Sequence, residues 1–126
     1  MDAFDRITKY AEVIEDSEGL TPHDRSFLHT LGFFCAASNS GRIYPYLDVG
    51  LEILPFLMEC GLCGTVSVLE RLKGVRDASG STEAFEGLAE DHLDEYEGGA
   101  EGDFEWAVRI ESFIQTKPEL FSTPLS

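Results

Sequence analysis

An acidic segment between Glu83 and Glu105 constrains the fold of this chain more than any other feature of its sequence. The segment reads EAFEGLAEDHLDEYEGGAEGDFE and contains ten carboxylates, with neither Lys nor Arg. Like charges at this density repel one another and oppose compact folding. The sequence therefore raises the question of what offsets this repulsion.

The composition predicts one globular domain over residues 1–126. The chain is 43% hydrophobic and 11% aromatic, which is normal for a folded protein, and this length suffices for a single core. Its three cysteines, an odd number, argue against a secreted disulfide framework. No apolar run reaches the length of a membrane span, and the N-terminal MDAFDRITKY lacks a secretory pattern. We expect a cytoplasmic protein that does not associate with membranes.

The charge is unevenly distributed along the chain. Lys and Arg number 9 against 24 Asp and Glu, which gives a net charge of −15. Residues 1–76 hold 11 acids and 7 bases (net −4), whereas residues 77–126 hold 13 acids and 2 bases (net −11). A charge of this sign repels nucleic acid and anionic membranes and attracts basic proteins. Direct binding to DNA or RNA is therefore disfavoured.

The spacing of apolar residues predicts an all-α fold of about six helices. A first amphipathic helix is expected over about residues 3–16. A second should begin with Thr21 as N-cap, Pro22 in the first helical position and Asp24 in the first turn, and end near the SNSG sequence. The second helix should bury one apolar face, formed by Phe27, Leu28, Leu31, Phe34 and Cys35.

The third predicted helix is the most apolar part of the chain. It opens at Pro45, reads PYLDVGLEILPFLMEC and is apolar on most faces, so we expect a long helix central to the core. Pro55 lies inside it and should kink or split it, because proline lacks an amide hydrogen and crowds the preceding turn. The fourth predicted helix, TVSVLERLK, should end at Gly74.

The two remaining predicted helices lie within and after the acidic segment. The fifth should be capped by Ser81 or Thr82 and end at the Gly98–Gly99 pair. The sixth is expected from Asp103 to about Thr116, and a proline at position 118 should end it.

The fifth predicted helix separates an apolar face from a ridge of carboxylates. The apolar face consists of Phe85, Leu88, Ala89, His92, Leu93 and Tyr96. The main row of carboxylates steps by three or four residues and consists of Glu83, Glu86, Glu90, Asp94 and Glu97, with Asp91 and Glu95 beside it. Glu101, Asp103 and Glu105 add a second group at the start of the sixth helix, where the helix dipole favours anions. These ten carboxylates are the predicted partner-binding residues.

Two stretches of the sequence resemble a known family. CGLCGTVSVLERL and the closing LDEYEGGAEGDFEWAVRIESFIQTKPELF are similar to the core and the end of a bacterial all-helical domain family of uncertain function. The named member of that family is an acidic DNA-mimic protein, and the resemblance covers about residues 20–121. The family's Asn-Gly-Gly motif with a following Gln has Asn39-Ser40-Gly41 as its nearest match here, without the Gln. The resemblance implies an acidic helical protein, able to form a homodimer, that occupies the DNA-binding surface of another protein.

Other chemistries find less support in the sequence. Cys60 and Cys63 have the C-x-x-C spacing of redox and zinc sites, but Glu59 precedes them, and the remaining candidate ligands have no recognisable zinc spacing. Those candidates are Cys35, His23, His29 and His92. A calcium loop starting at Asp94 would place Tyr96 and Gly98 at ligand positions, and neither has a carboxylate. We expect neither a cofactor, a metal nor an enzymatic activity.

Three functional hypotheses remain open. The first is a DNA-mimic-like inhibitor of a basic nucleic-acid-binding protein. The second is an immunity protein that neutralises one basic toxin, such as a nuclease, with Tyr44 or Tyr46 as aromatic anchors. The third is an enzyme or metal protein that uses Cys60 and Cys63 with a histidine. An acidic surface that serves only solubility or adaptation to high salt is the alternative to any binding role.

Overall fold

A computed structural model describes residues 2–40, 43–81, 83–85, 87 and 105–125 of the chain. Its α-helices are α1 (Ala3–Glu15), α2 (Pro22–Ser40), α3 (Leu47–Glu52), α4 (Leu54–Glu59), α5 (Cys63–Ser79) and α6 (Glu105–Thr116). Short 3₁₀ helices cover Tyr44–Tyr46 and Pro118–Leu120, and residues 83–85 and 87 are also helical. Within these described ranges there is no β-strand, so the predicted all-α fold is confirmed.

The second helix begins as the sequence predicts. The amide of Asp24 donates to Thr21 Oγ1, and the amide of Thr21 donates to Asp24 Oδ2, both at 3.0 Å. This reciprocal pair is a capping box, which satisfies two amides that the first turn of a helix leaves without a backbone acceptor. Pro22 occupies the first helical position, where its missing N–H costs nothing.

The predicted long central helix does not form, but the predicted break at Pro55 does. Residues 45–60 split near Pro55, as expected, and form a 3₁₀ turn followed by two six-residue helices, α3 and α4. The amides of Ile53 and Leu57 donate to Val49 and Ile53 carbonyls at 3.2 and 3.0 Å, so helical hydrogen bonds form on both sides of the break. The pair also has a solvent face, formed by Asp48, Val49, Glu52, Pro55, Met58 and Glu59.

The prediction that the fourth helix ends at Gly74 is wrong. Helix α5 continues through Gly74 to Ser79, and Gly80 follows it with a left-handed backbone at φ 80°. A glycine inside a helix costs about 1 kcal/mol but does not stop it. The left-handed conformation is what ends the helix, and it occurs at the second glycine.

The helices pack around one hydrophobic core. Helix α6 packs against α1, α5 packs against α3 and α4, and α2 contacts α1, α3 and α4. The fully buried side chains are contributed by every long helix and include Ile7, Ile14, Phe27, Phe33, Phe56, Leu57, Leu69, Leu72, Ile110 and Ile114. On α2, the predicted core residues Phe27 and Phe34 are buried. Leu28, Leu31 and Cys35 are only half-buried, because the other buried positions are Asp24, Thr30, Phe33 and Ala37.

Several polar contacts join parts of the chain that are distant in sequence. Glu111 on α6 is buried and pairs with the guanidinium of Arg6 on α1, through both of its oxygens. The C-terminal segment is held by Thr21 Oγ1, which donates to the Leu120 carbonyl at 2.8 Å, and by Asp24 Oδ1, which accepts from the Ser122 amide at 3.2 Å. Among the described residues, no helix is both long and apolar enough to cross a membrane.

Candidate partner-binding surface

The acidic segment is anchored to the core at its start. Ser81 Oγ accepts a hydrogen bond from the Ala84 amide at 3.1 Å, so Ser81 is the residue that caps this helix. Phe85 is buried, and its ring lies edge-on to Tyr44 with centroids 6.3 Å apart. Glu83 is exposed. The burial of Phe85 and the exposure of Glu83 are as predicted, and the other residues of the predicted apolar and carboxylate faces lie outside the described part of the chain.

The end of the acidic segment has the same arrangement. Trp106 is buried and stacks on Phe34, with ring centroids 4.5 Å apart and planes within 7° of parallel. Glu105, one residue earlier, is exposed at the start of α6. Its Oε1 lies 3.5 Å from Nε of Arg109, which also donates from Nη1 to the Gly61 carbonyl at 2.8 Å. Part of the Glu105 charge is thus compensated within the molecule.

The other predicted partner-binding residues lie outside the described part of the chain. They are Glu86, Glu90, Asp91, Asp94, Glu95, Glu97, Glu101 and Asp103. Their participation in a binding surface stays a prediction.

Internal ion pairs leave most of the negative charge without a Lys or Arg partner. The described arginine–carboxylate pairs are Arg6 with Glu111, Arg76 with Asp48 at 2.5 Å, and Arg109 with Glu105. If each of the 9 basic residues neutralised one of the 24 acids, 24 − 9 = 15 carboxylates would still lack a Lys or Arg of their own. The Lys and Arg side chains of this protein are therefore too few to neutralise all of its carboxylates.

A second group of exposed carboxylates lies at the C-terminal end of α1, and the sequence analysis missed it. Glu12, Glu15, Asp16 and Glu18 are exposed there, and the last turn of α1 has no basic residue. Carboxylates at this end of a helix are unfavourable, because the helix dipole is negative there. Their spacing of three and four residues is the sequence signal that would have identified them.

The two cysteines of the C-x-x-C motif lie in different environments. Cys60 is buried, and its burial, together with the charge of Glu59, raises the pKa of the thiol to about 12. A thiol with that pKa is almost entirely protonated at neutral pH and is a poor nucleophile or metal ligand. Cys63 is exposed as the first residue of α5, and both thiols are free. No group of three or more metal-ligating side chains is formed by the residues that the structure describes.

Of the histidines and tyrosines singled out in the sequence, His23, Tyr44 and Tyr46 have structural contacts, and His92 lies outside the described residues. His23 Nε2 lies 3.2 Å from both oxygens of Glu59, and its ring stacks on Phe113 with centroids 6.2 Å apart. Tyr44 and Tyr46 are half-buried and pack against the core, which leaves only part of each ring for a partner. His29 is exposed on α2.

Comparison of this chain with known proteins gave no match to a family model, a curated protein or a solved structure.

Proposed function

We propose that this protein binds a basic, nucleic-acid-binding protein and occupies the surface on which that protein would hold phosphates. One observation carries the proposal. Apolar side chains at both ends of the acidic segment, Phe85 and Trp106, are buried, while the adjacent carboxylates Glu83 and Glu105 are exposed, and no Lys or Arg lies between them. A densely acidic segment is thus held to a folded core at two points.

The charge density of such a segment is comparable with that of a nucleic acid. Duplex DNA carries one negative charge per roughly 1.7 Å of axis. A helix rises about 5.4 Å per turn, so two or three acidic helices or helix ends side by side approach the same density. Such a surface steers a basic partner at long range and then pairs with its Lys and Arg side chains.

The proposal is tested by competition with DNA. The purified protein is immobilised, exposed at low salt to a nuclease-treated extract of its native host, and eluted either with a salt gradient or with a duplex oligonucleotide. We expect a basic protein that duplex DNA releases, and for the purified pair a dissociation constant that rises steeply with salt. A bound protein that duplex DNA does not displace would contradict mimicry.

Charge-neutralising variants identify the surface. Changing Glu86 and Glu90 to Gln and Asp94 to Asn should weaken binding about tenfold and reduce the salt slope, because three favourable contacts of a few tenths to 1 kcal/mol are lost. The matched control changes Glu12 and Glu15 to Gln and Asp16 to Asn, which alters net charge equally at the end of α1. Equal losses in both variants would mean that net charge alone, and no particular surface, attracts the partner.

A further inference from the structure

Helix α2 differs from the other helices in the charge of its solvent side. Its one acid, Asp24, is buried, whereas every other α-helix that the structure describes exposes at least one carboxylate. Residues 25–47 contain neither Asp nor Glu, and no other run of the sequence without them is half as long. In a chain of net charge −15, a second acidic molecule meets little repulsion at contact with this side of α2.

One line of residues along α2 has the spacing of a helix–helix seam. It steps by three and four residues, which places its members on one face of the helix. The α2 seam consists of Arg25, Leu28, Gly32, Cys35 and Asn39. The first, middle and last of these residues are exposed, and the other two are half-buried. Half-buried Leu31 and Ala36 lie beside the seam and widen its apolar part.

Gly32 lies at the middle of the α2 seam. A Cβ built there would meet nothing within 4 Å, so packing within the molecule does not require a glycine at this position. Gly74 in α5 is equally open, but three of its four neighbours at helical spacing are charged, namely Glu70, Arg71 and Asp77. Three of the four corresponding neighbours of Gly32 are apolar. A glycine among apolar neighbours lets the backbone of another helix approach closely.

We propose that α2 of one copy of this protein packs antiparallel against α2 of a second copy along the α2 seam, with Gly32 at the two-fold axis. In this register Leu28 lies beside Cys35 and Ala36 of the second copy, and Arg25 lies beside Asn39. The interface is isologous, so each of these contacts occurs twice. The inference goes beyond the proposed function and does not depend on the basic partner.

Charge complementarity favours a second copy as the occupant. The guanidinium of Arg25 is exposed and has no ion pair among the residues that the structure describes. In the antiparallel register it lies beside the C-terminal end of the other α2, where carbonyls without helical partners and the helix dipole are negative. The last turn of α2 has no basic residue of its own. Each end of the seam therefore gains an attraction, and no carboxylate lies within it.

The expected dimer is weak and depends on salt. Two packed helices form a small interface, so we expect a dissociation constant on the order of 10–100 μM. The net charge of −15 on each copy opposes association at long range, and salt screens this repulsion beyond about 10 Å at 0.1 M. The dimer should therefore become tighter as salt rises, which is the opposite of the salt dependence expected for the basic partner.

The test is sedimentation equilibrium of the purified protein from about 5 to 500 μM, in about 0.05 M and 0.5 M salt. Gly32→Glu places a carboxylate of each copy at the two-fold axis and should weaken the dimer at least about tenfold. The matched control, Gly74→Glu, changes the net charge equally at an open position of α5 and should alter the dissociation constant less than about twofold. Glutamate favours a helix more than glycine does, so both variants should fold, which circular dichroism checks.

A second pair of variants tests the predicted position of Arg25. Arg25→Gln removes the attraction at each end of the seam and should weaken the dimer roughly threefold. The matched control is Lys73→Gln, which removes an exposed cation from α5 and should leave the dimer unchanged.

Three results would overturn the proposal. They are a monomer at about 500 μM in high salt, a dimer that dissociates as salt rises, and equal weakening by Gly32→Glu and Gly74→Glu. None of them bears on the proposed function, because competition with DNA tests that function separately.

Discussion

At the scale of single residues, Asp24 links the start of α2 to the end of the chain. Its carboxylate is fully buried and accepts hydrogen bonds from the amides of Thr21 and Ser122. Thr21 completes the arrangement, since its hydroxyl accepts from the Asp24 amide and donates to the Leu120 carbonyl. One capping box thus holds both a helix terminus and the C-terminal segment. Burial acts to raise the pKa of Asp24, but hydrogen bonds from Ser122 and Thr21 outweigh it and leave the pKa below its usual value.

Asp24 should therefore make stability depend on pH. Because the pKa in the folded state lies below the ordinary value of 3.8, the carboxylate stabilises the fold above that pH and loses its effect as the pH falls through the folded-state pKa. We expect Asp24→Asn to lower the free energy of unfolding by about 1–2 kcal/mol at pH 7. The difference from the wild type should shrink towards pH 3, as measured by urea unfolding.

The control for this prediction is Asp16→Asn, an exposed carboxylate after the last turn of α1. It should change stability by less than about 0.5 kcal/mol. The prediction would be contradicted if the difference in free energy of unfolding between Asp24→Asn and the wild type stayed constant from pH 7 to pH 3. Ionisation of Asp24 would then contribute nothing to stability.

At the scale of helices, two glycines in similar local contexts have different roles. In α3, a Cβ built on Gly50 would lie 2.5 Å from Leu69 Cδ2 and 3.1 Å from Phe33 Cε1, so the missing side chain lets α3 approach α5 and α2. In α5, a Cβ on Gly74 would meet nothing within 4 Å. The first glycine is required by packing, and the second costs the helix stability without a compensating contact.

Alanine at these two positions should have opposite effects. Gly74→Ala should raise the free energy of unfolding by about 0.5–1 kcal/mol, because alanine loses less backbone freedom in a helix. Gly50→Ala should lower the free energy of unfolding by about 1 kcal/mol or more, because the added Cβ overpacks a buried contact. That cost outweighs the gain in helix propensity. Thermal and urea unfolding of the two variants measure this, and a stabilised Gly50→Ala protein would mean that Leu69 can repack freely.

At the scale of the whole molecule, the surplus of negative charge should lower the stability of the fold and raise the affinity for the proposed basic partner. With 15 more acids than bases, carboxylates repel one another, and in the proposed function the same charge attracts a basic partner. Residues of the acidic segment that strengthen binding should therefore weaken the fold. Substitutions that neutralise these carboxylates should raise the free energy of unfolding and lower the affinity for the partner.

The variant with Glu86 and Glu90 changed to Gln and Asp94 to Asn should be more stable than the wild type. Two repulsive pairs at a spacing of four residues are removed, each worth roughly 0.2–0.5 kcal/mol. The gain should be seen in thermal unfolding at low salt and disappear in about 1 M salt, where charges a few ångströms apart are screened. A less stable variant would indicate that cations within the protein already neutralise these carboxylates, and the binding role would lose its basis.

The sequence by itself determined the features that depend on neighbouring residues. The all-α fold, the capping of α2 by Thr21 and Asp24, the break near Pro55 and the burial of Phe85 beside exposed Glu83 all follow from spacing and from local hydrogen bonding. These are interactions within one or two helical turns, so a short stretch of sequence contains all the partners.

Only the tertiary structure decided the features that depend on distant partners. The Arg6–Glu111 pair, the attachment of Ser122 to Asp24 and the solvent face that carries Met58 each depend on which helix covers which. The end of α5 at Gly80 instead of Gly74 belongs with them, since buried Leu72 and half-buried Val75 on either side of Gly74 pack against the core. Packing of this kind is worth more than the propensity of one glycine, and a pattern read along the chain does not contain it.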